Sequence, residues 1–182
     1  MTLEIIDRSH GHCARRRADL NVVSNFCDGH GQIGSMTMFK HILIATDGSE
    51  LAGKAVKQGL AMAKALNAKA TVMTVTEPWA AIAPGEIAMT FPVDEYEKGC
   101  TEQAARILAE ASNQAKSEGV VCNVMHVKDR YPADGIVETA KSEGCDLIVM
   151  ASHGRRGVAR LLIGSQANQV VIRSVVPVLI HK

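Results

Sequence analysis

Residues 151–165, ASHGRRGVARLLIGS, concentrate the residue types that can hold an anion. Gly154, Gly157 and Gly164 permit positive φ and let the backbone approach a ligand closely. Gly164 and Ser165 stand where a helix begins, and there the free N–H groups and the helix dipole favour negative charge. Arg155 and Arg156 add charge-assisted donors. The same residues also fit a plain connector in which Ser165 caps the helix and both arginines are solvated. Spacing alone leaves phosphate binding and the connector both open. Asp47 has a similar double reading. It closes an apolar run, and with Glu50 it has capping-box spacing, although Ser49 could serve as the cap instead. Alternatively its carboxylate accepts hydrogen bonds from a nucleotide at the end of a strand.

Other chemical groupings are weaker. Residues 48–55, GSELAGKA, come close to a phosphate-binding P-loop. The position after Lys54 is Ala55, which has no hydroxyl for magnesium, and the apolar spacing puts Gly53 and Lys54 within a helix. His10, His12, Cys13, Cys27 and His30 are possible metal ligands, but their spacing fits none of the usual zinc frameworks, and no metal site is expected. Cys100, Cys122 and Cys145 read as small core residues. Trp79, in a long loop, reads equally as a cover over a pocket or as a packing residue. No catalytic base or dedicated metal cluster stands out.

These residues need a scaffold, and the apolar pattern supplies one from residue 38 onward. Residues 41–46 are a short, continuous apolar run, as expected of a strand buried on both faces, and 70–76, 120–127, 146–150 and 176–180 read as four further strands. Between them lie helical patterns. Leu51, Ala55, Val56, Leu60, Ala63 and Leu66 share one face, with Asn67 as a stop. Asp94 with Glu97 has capping-box spacing ahead of Ala104, Ile107, Leu108, Ala111 and Ala115, with Gly119 as a stop. Pro132 suits a first helical turn, and Gly144 ends the pattern it opens. A short helix through Val170 and Val171 precedes the final strand. Residues 77–94 hold Pro78, Pro84 and Pro92 and read as a loop. Alternating strands and helices imply a parallel sheet with helices on both faces and a ligand beyond the strands' C-terminal ends. Those ends are at Asp47, Val75 and the loop after Met150.

Residues 1–37 differ from the rest. They contain no lysine, four arginines and three of the seven histidines, and they show no sustained periodicity. They read as a mostly disordered extension, or as sequence upstream of a natural start at Met38, leaving one domain over residues 38–182.

Composition excludes several function classes. The chain of 182 residues is 47% hydrophobic but 3% aromatic, so its core is aliphatic and it lacks stacking platforms for single-stranded nucleic acid. Lys plus Arg (20) nearly balance Asp plus Glu (19), so no global field draws it to nucleic acid or an anionic membrane. No apolar run approaches the ~20 residues of a spanning helix. Glu4, Asp7 and Asp19 do not suit a transit peptide, and no signal-peptide core is visible. Five scattered cysteines fit a reducing cytoplasm.

Two motifs at opposite ends of this series resemble the universal stress protein family. Residues 42–49, ILIATDGS, resemble the family's opening strand and turn. Gly154, nine intervening residues, Gly164 and Ser165, then the apolar Pro177-Val178-Leu179-Ile180, resemble its closing Gly-x2-Gly-x9-Gly-Ser/Thr motif and final strand. The resemblance covers residues 38–182 and departs at Ala151, where nucleotide-binding members have the first glycine. It implies an α/β fold, an open five-stranded parallel sheet with helices on both faces, Rossmann-like and of the adenine nucleotide alpha hydrolase-like type. It further implies an adenine nucleotide site for ATP, ADP or AMP, with or without Mg2+. Asp47 and backbone near Val75 would hold the adenosine end, Met150 would line the pocket, and Gly154, Gly164 and Ser165 would bind phosphates. Arg155 is added from its charge and location. Any hydrolysis is expected to be slow. The resemblance also places the final strand at the sheet edge, where the apolar residues 176–180 would invite pairing with another copy, so a homodimer through that strand is expected.

Three functions compete: a nucleotide-binding stress or signalling protein, a dimeric interaction protein of this fold that binds no nucleotide, and an enzyme of a related nucleotide-hydrolase fold. The third is disfavoured because Thr46-Asp47-Gly48-Ser49 does not match the Ser-Gly-Gly-x-Asp-Ser-like loop of adenylating enzymes. A chain beginning at Met38 is expected to keep the thermal midpoint of the full chain. A fall of many degrees would show that residues 1–37 pack on the domain.

Overall fold

The computed structural model describes residues 5–6, 39–82, 92–154 and 164–182. Its centre is a strand with no polar face: His41–Ala45 (β2), HILIA, is buried at every position. It pairs in parallel with Lys69–Val75 (β3) on one side and with Leu147–Ala151 (β5) on the other. Cys122–Val127 (β4) adds outside β3, and Val178–His181 (β6) adds outside β5, both in parallel. The five expected strands thus form one parallel sheet, with boundaries shifted by one or two residues. Burial on both faces explains why β2, β3, β5 and β6 are apolar runs rather than alternating ones, whereas β4, at the edge, has no fully buried position.

Two apolar layers sandwich the sheet. On one face, Ile42, Ile44 and Val72 pack against Val56, Leu60 and Ala63 of Glu50–Leu66 (α1) and Leu108, Ala111 and Ala115 of Val93–Glu118 (α3). On the other, Leu43, Met73 and Ile148 pack against Ala133, Ile136 and Ala140 of Pro132–Ser142 (α4) and Ala167 and Val170 of Ser165–Arg173 (α5). A four-residue helix, Trp79–Ile82 (α2), follows β3 within the expected loop. The stops act as read: Asn67 and Gly119 close α1 and α3 in the left-handed conformation, and Pro132 opens α4. Gly53 and Lys54 lie inside α1, so the near P-loop is ordinary helix.

Two local expectations change. Ser49, not Asp47, caps α1, its side chain accepting from the Ala52 N–H at 3.2 Å. Asp94 caps nothing. The helix starts two residues earlier, with Pro92 at the cap position, which leaves Asp94 in the first turn facing the helix dipole.

A sixth strand was not anticipated. Ile5–Ile6 (β1) pairs antiparallel with β6, Ile5 opposite Leu179 and Ile6 opposite Val178, giving the order β1-β6-β5-β2-β3-β4. The final strand is therefore covered on its outer side at two positions. The side chains of Val178 and Ile180 are 3% and 8% exposed. A lysine at either, the obvious block to strand pairing at an edge, would disrupt the core.

The turn from β2 into α1 passes through Gly48 at φ 79°. A Cβ there would come within 2.7 Å of the Ile107 side chain of α3, so both backbone conformation and packing demand glycine. Gly48→Ala is expected to lower stability by about 2 kcal/mol or more, seen as an earlier denaturant midpoint. An unchanged midpoint would show that α3 does not press on this turn.

Candidate functional site

Order along the sheet determines where a site can form. From β2 the chain moves outward through β3 to β4, then returns to place β5 on the opposite side of β2. Connections leaving β2 and β5 therefore diverge, and a crevice opens between the two C-terminal ends.

On the β2 side, three short bonds shape the turn. The Gly48 N–H donates to Thr46 Oγ1 at 3.2 Å, the Ser49 N–H to Asp47 Oδ1 at 3.0 Å, and the Ala52 N–H to Ser49 Oγ. The Asp47 carboxylate is thereby oriented by its own turn instead of being consumed as the cap of α1. On the β5 side, the Ser152 N–H donates to the His181 carbonyl at 2.7 Å, and the Gly164 N–H returns to the Ser152 carbonyl at 2.8 Å. This second bond pins the start of α5 beside the end of β5. The first amides of α5 have no preceding turn to donate to, so they present N–H groups at that point. Gln166 Oε1 accepts the Ala133 N–H at 3.1 Å, tying the first turn of α4 to the first turn of α5.

The two sides meet closely. A Cβ at Gly154 would lie 2.6 Å from Asp47 Oδ2, and one at Gly164 would lie 2.9 Å from the Ser152 carbonyl oxygen. Neither glycine has positive φ. They are needed for close approach, not for an unusual backbone conformation.

A cleft of about 820 Å³ lies over this meeting point and is lined by Asp47, Val75, Met150, Gly154, Gly164 and Ser165. These are six of the seven residues singled out from sequence; the seventh, Arg155, lies outside the described residues. Sequence reasoning missed the wall made by α3, where Tyr96, Cys100, Gln103 and Ile107 line the cleft. Their spacing is helical, and the signal was a second stripe beside the buried Ala104, Leu108, Ala111 and Ala115. Cys100 is thus a lining residue, whereas Cys145 is buried. Trp79 packs its ring on Tyr96, with centroids 5.0 Å apart, and the Tyr96 hydroxyl donates to the Glu77 carbonyl at 2.8 Å. Trp79 therefore supports a cleft wall, which combines its two earlier readings.

Ala151 is 7% exposed and clusters with Ala52 and Ala55 of α1 while also touching the cleft. Its methyl is mostly spent on helix packing. Nearby, Thr76 Oγ1 and His126 Nε2 lie 2.7 Å apart. Burial, with Lys128 as a second cause, lowers the His126 pKa. Burial pushes the Cys145 thiol up to about 11, aided by Glu143 and Asp146, so it is a poor nucleophile. Among the described residues no group of three or more His, Cys, Asp or Glu is placed to hold a metal ion, and no helix is long and apolar enough to cross a membrane. The cluster His10, His12, Cys13, Cys27 and His30 lies outside the described residues.

Comparison with known proteins gives a consistent match. The family model described as "Universal stress protein family" matches residues 38–182. A universal stress protein of Thermus aquaticus is 35% identical over 143 residues, covering 79% of this chain and 98% of that protein. Among solved structures, MJ0577 of Methanocaldococcus jannaschii superposes with a TM-score of 0.65 at 28% identity, covering 80% of this chain and 96% of that one. A universal stress protein solved in complex with cAMP gives a TM-score of 0.56 at 28% identity, with 79% and 97% covered.

The geometry at Gly164 carries its own test. A side chain there meets the Ser152 carbonyl oxygen of the protein's own backbone, so it burdens the fold as well as any ligand. Gly164→Val is expected to cost about 1–3 kcal/mol of stability. A urea midpoint equal to that of the natural chain would disprove the close Ser152–Gly164 approach.

Proposed function

The chain belongs to the universal stress protein family, and on that premise we propose that it binds an adenine nucleotide in the cleft between Asp47 and the start of α5, in a stress-response or signalling role. One observation carries the reading: an oriented carboxylate and a glycine-flanked helix start face the same cleft. The carboxylate suits the hydroxyl and amino donors of a nucleoside; the first-turn amides of α5 from Ser165 onward suit phosphate oxygens, with Gly164 letting them come close. Val75 and Met150 offer apolar surface to a base. About 820 Å³ is in the usual range for a small-molecule site. The relative solved with cAMP supports an adenine nucleotide as the ligand class.

ATP is our first choice of ligand, with AMP and ADP as alternatives and Mg2+ carried by the nucleotide itself. Arg155 is proposed as a further phosphate donor. Self-association through β6, giving a homodimer in the cytoplasm, completes the proposal. The competing reading is an interaction protein of the same fold that binds no nucleotide, and the methyl of Ala151 at the cleft favours it. That methyl is already packed on α1, so its burden on a ligand is small.

Titration calorimetry with ATP, ADP and AMP is expected to give micromolar to submillimolar binding, weakened at least tenfold by Asp47→Ala. ATP is also expected to slow alkylation of Cys100, read by peptide mapping, without protecting Cys122. No heat with any of the three nucleotides, together with unprotected Cys100, would favour the interaction-protein reading.

A further inference from the structure

The sheet has two edges, and they are built differently. The β4 edge carries the exposed Asn123 and ends at Lys128 and Asp129, which make it partly polar. The β6 edge, VLIH, has no charged residue along it, and its side chains are committed to the core. Ahead of it in the chain lie Ile172 and Val175, 54% and 87% exposed. An apolar edge without lysine or bulge is open to pairing with another strand unless something covers it.

Something does cover it. The Pro177 and His181 carbonyls accept from Ile148 of β5 and from Ser152 just beyond it. Backbone groups alternate in direction along a strand, so those of Val178 and Ile180 turn outward. Ile6 lies directly opposite Val178. The two isoleucines therefore occupy the backbone positions that a second copy would need. The cover is only two residues long, and a strand that short is marginal by itself.

We propose that Ile5–Ile6 is a built-in competitor for the β6 edge, so that a second copy of the chain pairs there only when this strand leaves. The inference rests on β6 being the surface of self-association. Both copies must release their cover before they pair, so the effect enters twice. A cover in place about two-thirds of the time leaves each copy competent about one-third of the time, which weakens dimerisation about ninefold.

Ile6→Pro in the full chain removes the N–H opposite Val178, and Ile6→Val serves as the conservative control. Two measurements apply: amide hydrogen exchange at Val178 in dilute, monomeric protein, and sedimentation across micromolar concentrations. In the natural chain and in Ile6→Val, the Val178 amide is expected to be protected. In Ile6→Pro it exchanges faster when dilute, and dimerisation moves to about tenfold lower concentration. Equal Val178 exchange in the natural chain and Ile6→Pro would overturn the cover itself. Altered exchange with unchanged sedimentation would overturn the competition, and with it the reading of β6 as the self-association surface. Neither result bears on the nucleotide cleft.

Discussion

Residues Ile42 to Ala45 of β2 lie in register with Leu147 to Met150 of β5, and this parallel contact makes the chain leave the two strands in opposite directions. Neither strand can be reached by a hairpin, so each is followed by its own loop and helix. The turn after β2 carries a carboxylate, and the loop after β5 carries glycines and returns as a helix start. Both are brought to one crevice by a pairing made of aliphatic side chains that take no part in chemistry. Weakening that contact would separate Asp47 from Gly154 before it altered either of them.

At the crevice, small residues allow distances that larger ones would forbid. Gly48 admits Ile107, Gly154 admits the Asp47 carboxylate, and Gly164 admits the Ser152 carbonyl. Each contact joins elements far apart in sequence: α3 to the first turn, β2 to the last loop, and β5 to α5. The glycines are thus required by the contacts that bring these elements together. A bound anion would meet amides already fixed in place, and less ordering entropy would then oppose binding.

Much of this was legible in the sequence, and the reasons for the exceptions are specific. Doubly buried parallel strands announce themselves as apolar runs, and Asn67, Gly119 and Pro132 mark helix ends by backbone chemistry that needs no tertiary context. Asp47 and Ser49 could not be ranked as caps, because the choice depends on which side chain the turn leaves pointing at Ala52. The α3 wall was hidden because one stripe of that helix packs on the sheet while its neighbour, from Tyr96 to Ile107, faces the cleft; in sequence the two merge into one broad face. β1 was invisible for another reason. Two isoleucines give no period, and only the unpaired edge of β6 makes them a strand.

That edge is also connected to the crevice. β6 is fixed by β5 on one side and met by β1 on the other, and the His181 carbonyl at its end holds the Ser152 N–H. Ser152 in turn holds Gly164 and so the first turn of α5. His181 is itself tied to α1 through Gln58, with Nδ1 and Oε1 2.6 Å apart. A chain of short polar contacts therefore runs from the outermost parallel strand to the amides that line the cleft. Its members sit in a close-packed interior where displacements are not absorbed by empty space. The last strand does more than complete the sheet: its register sets the height of Ser152, and Ser152 sets where the helix begins.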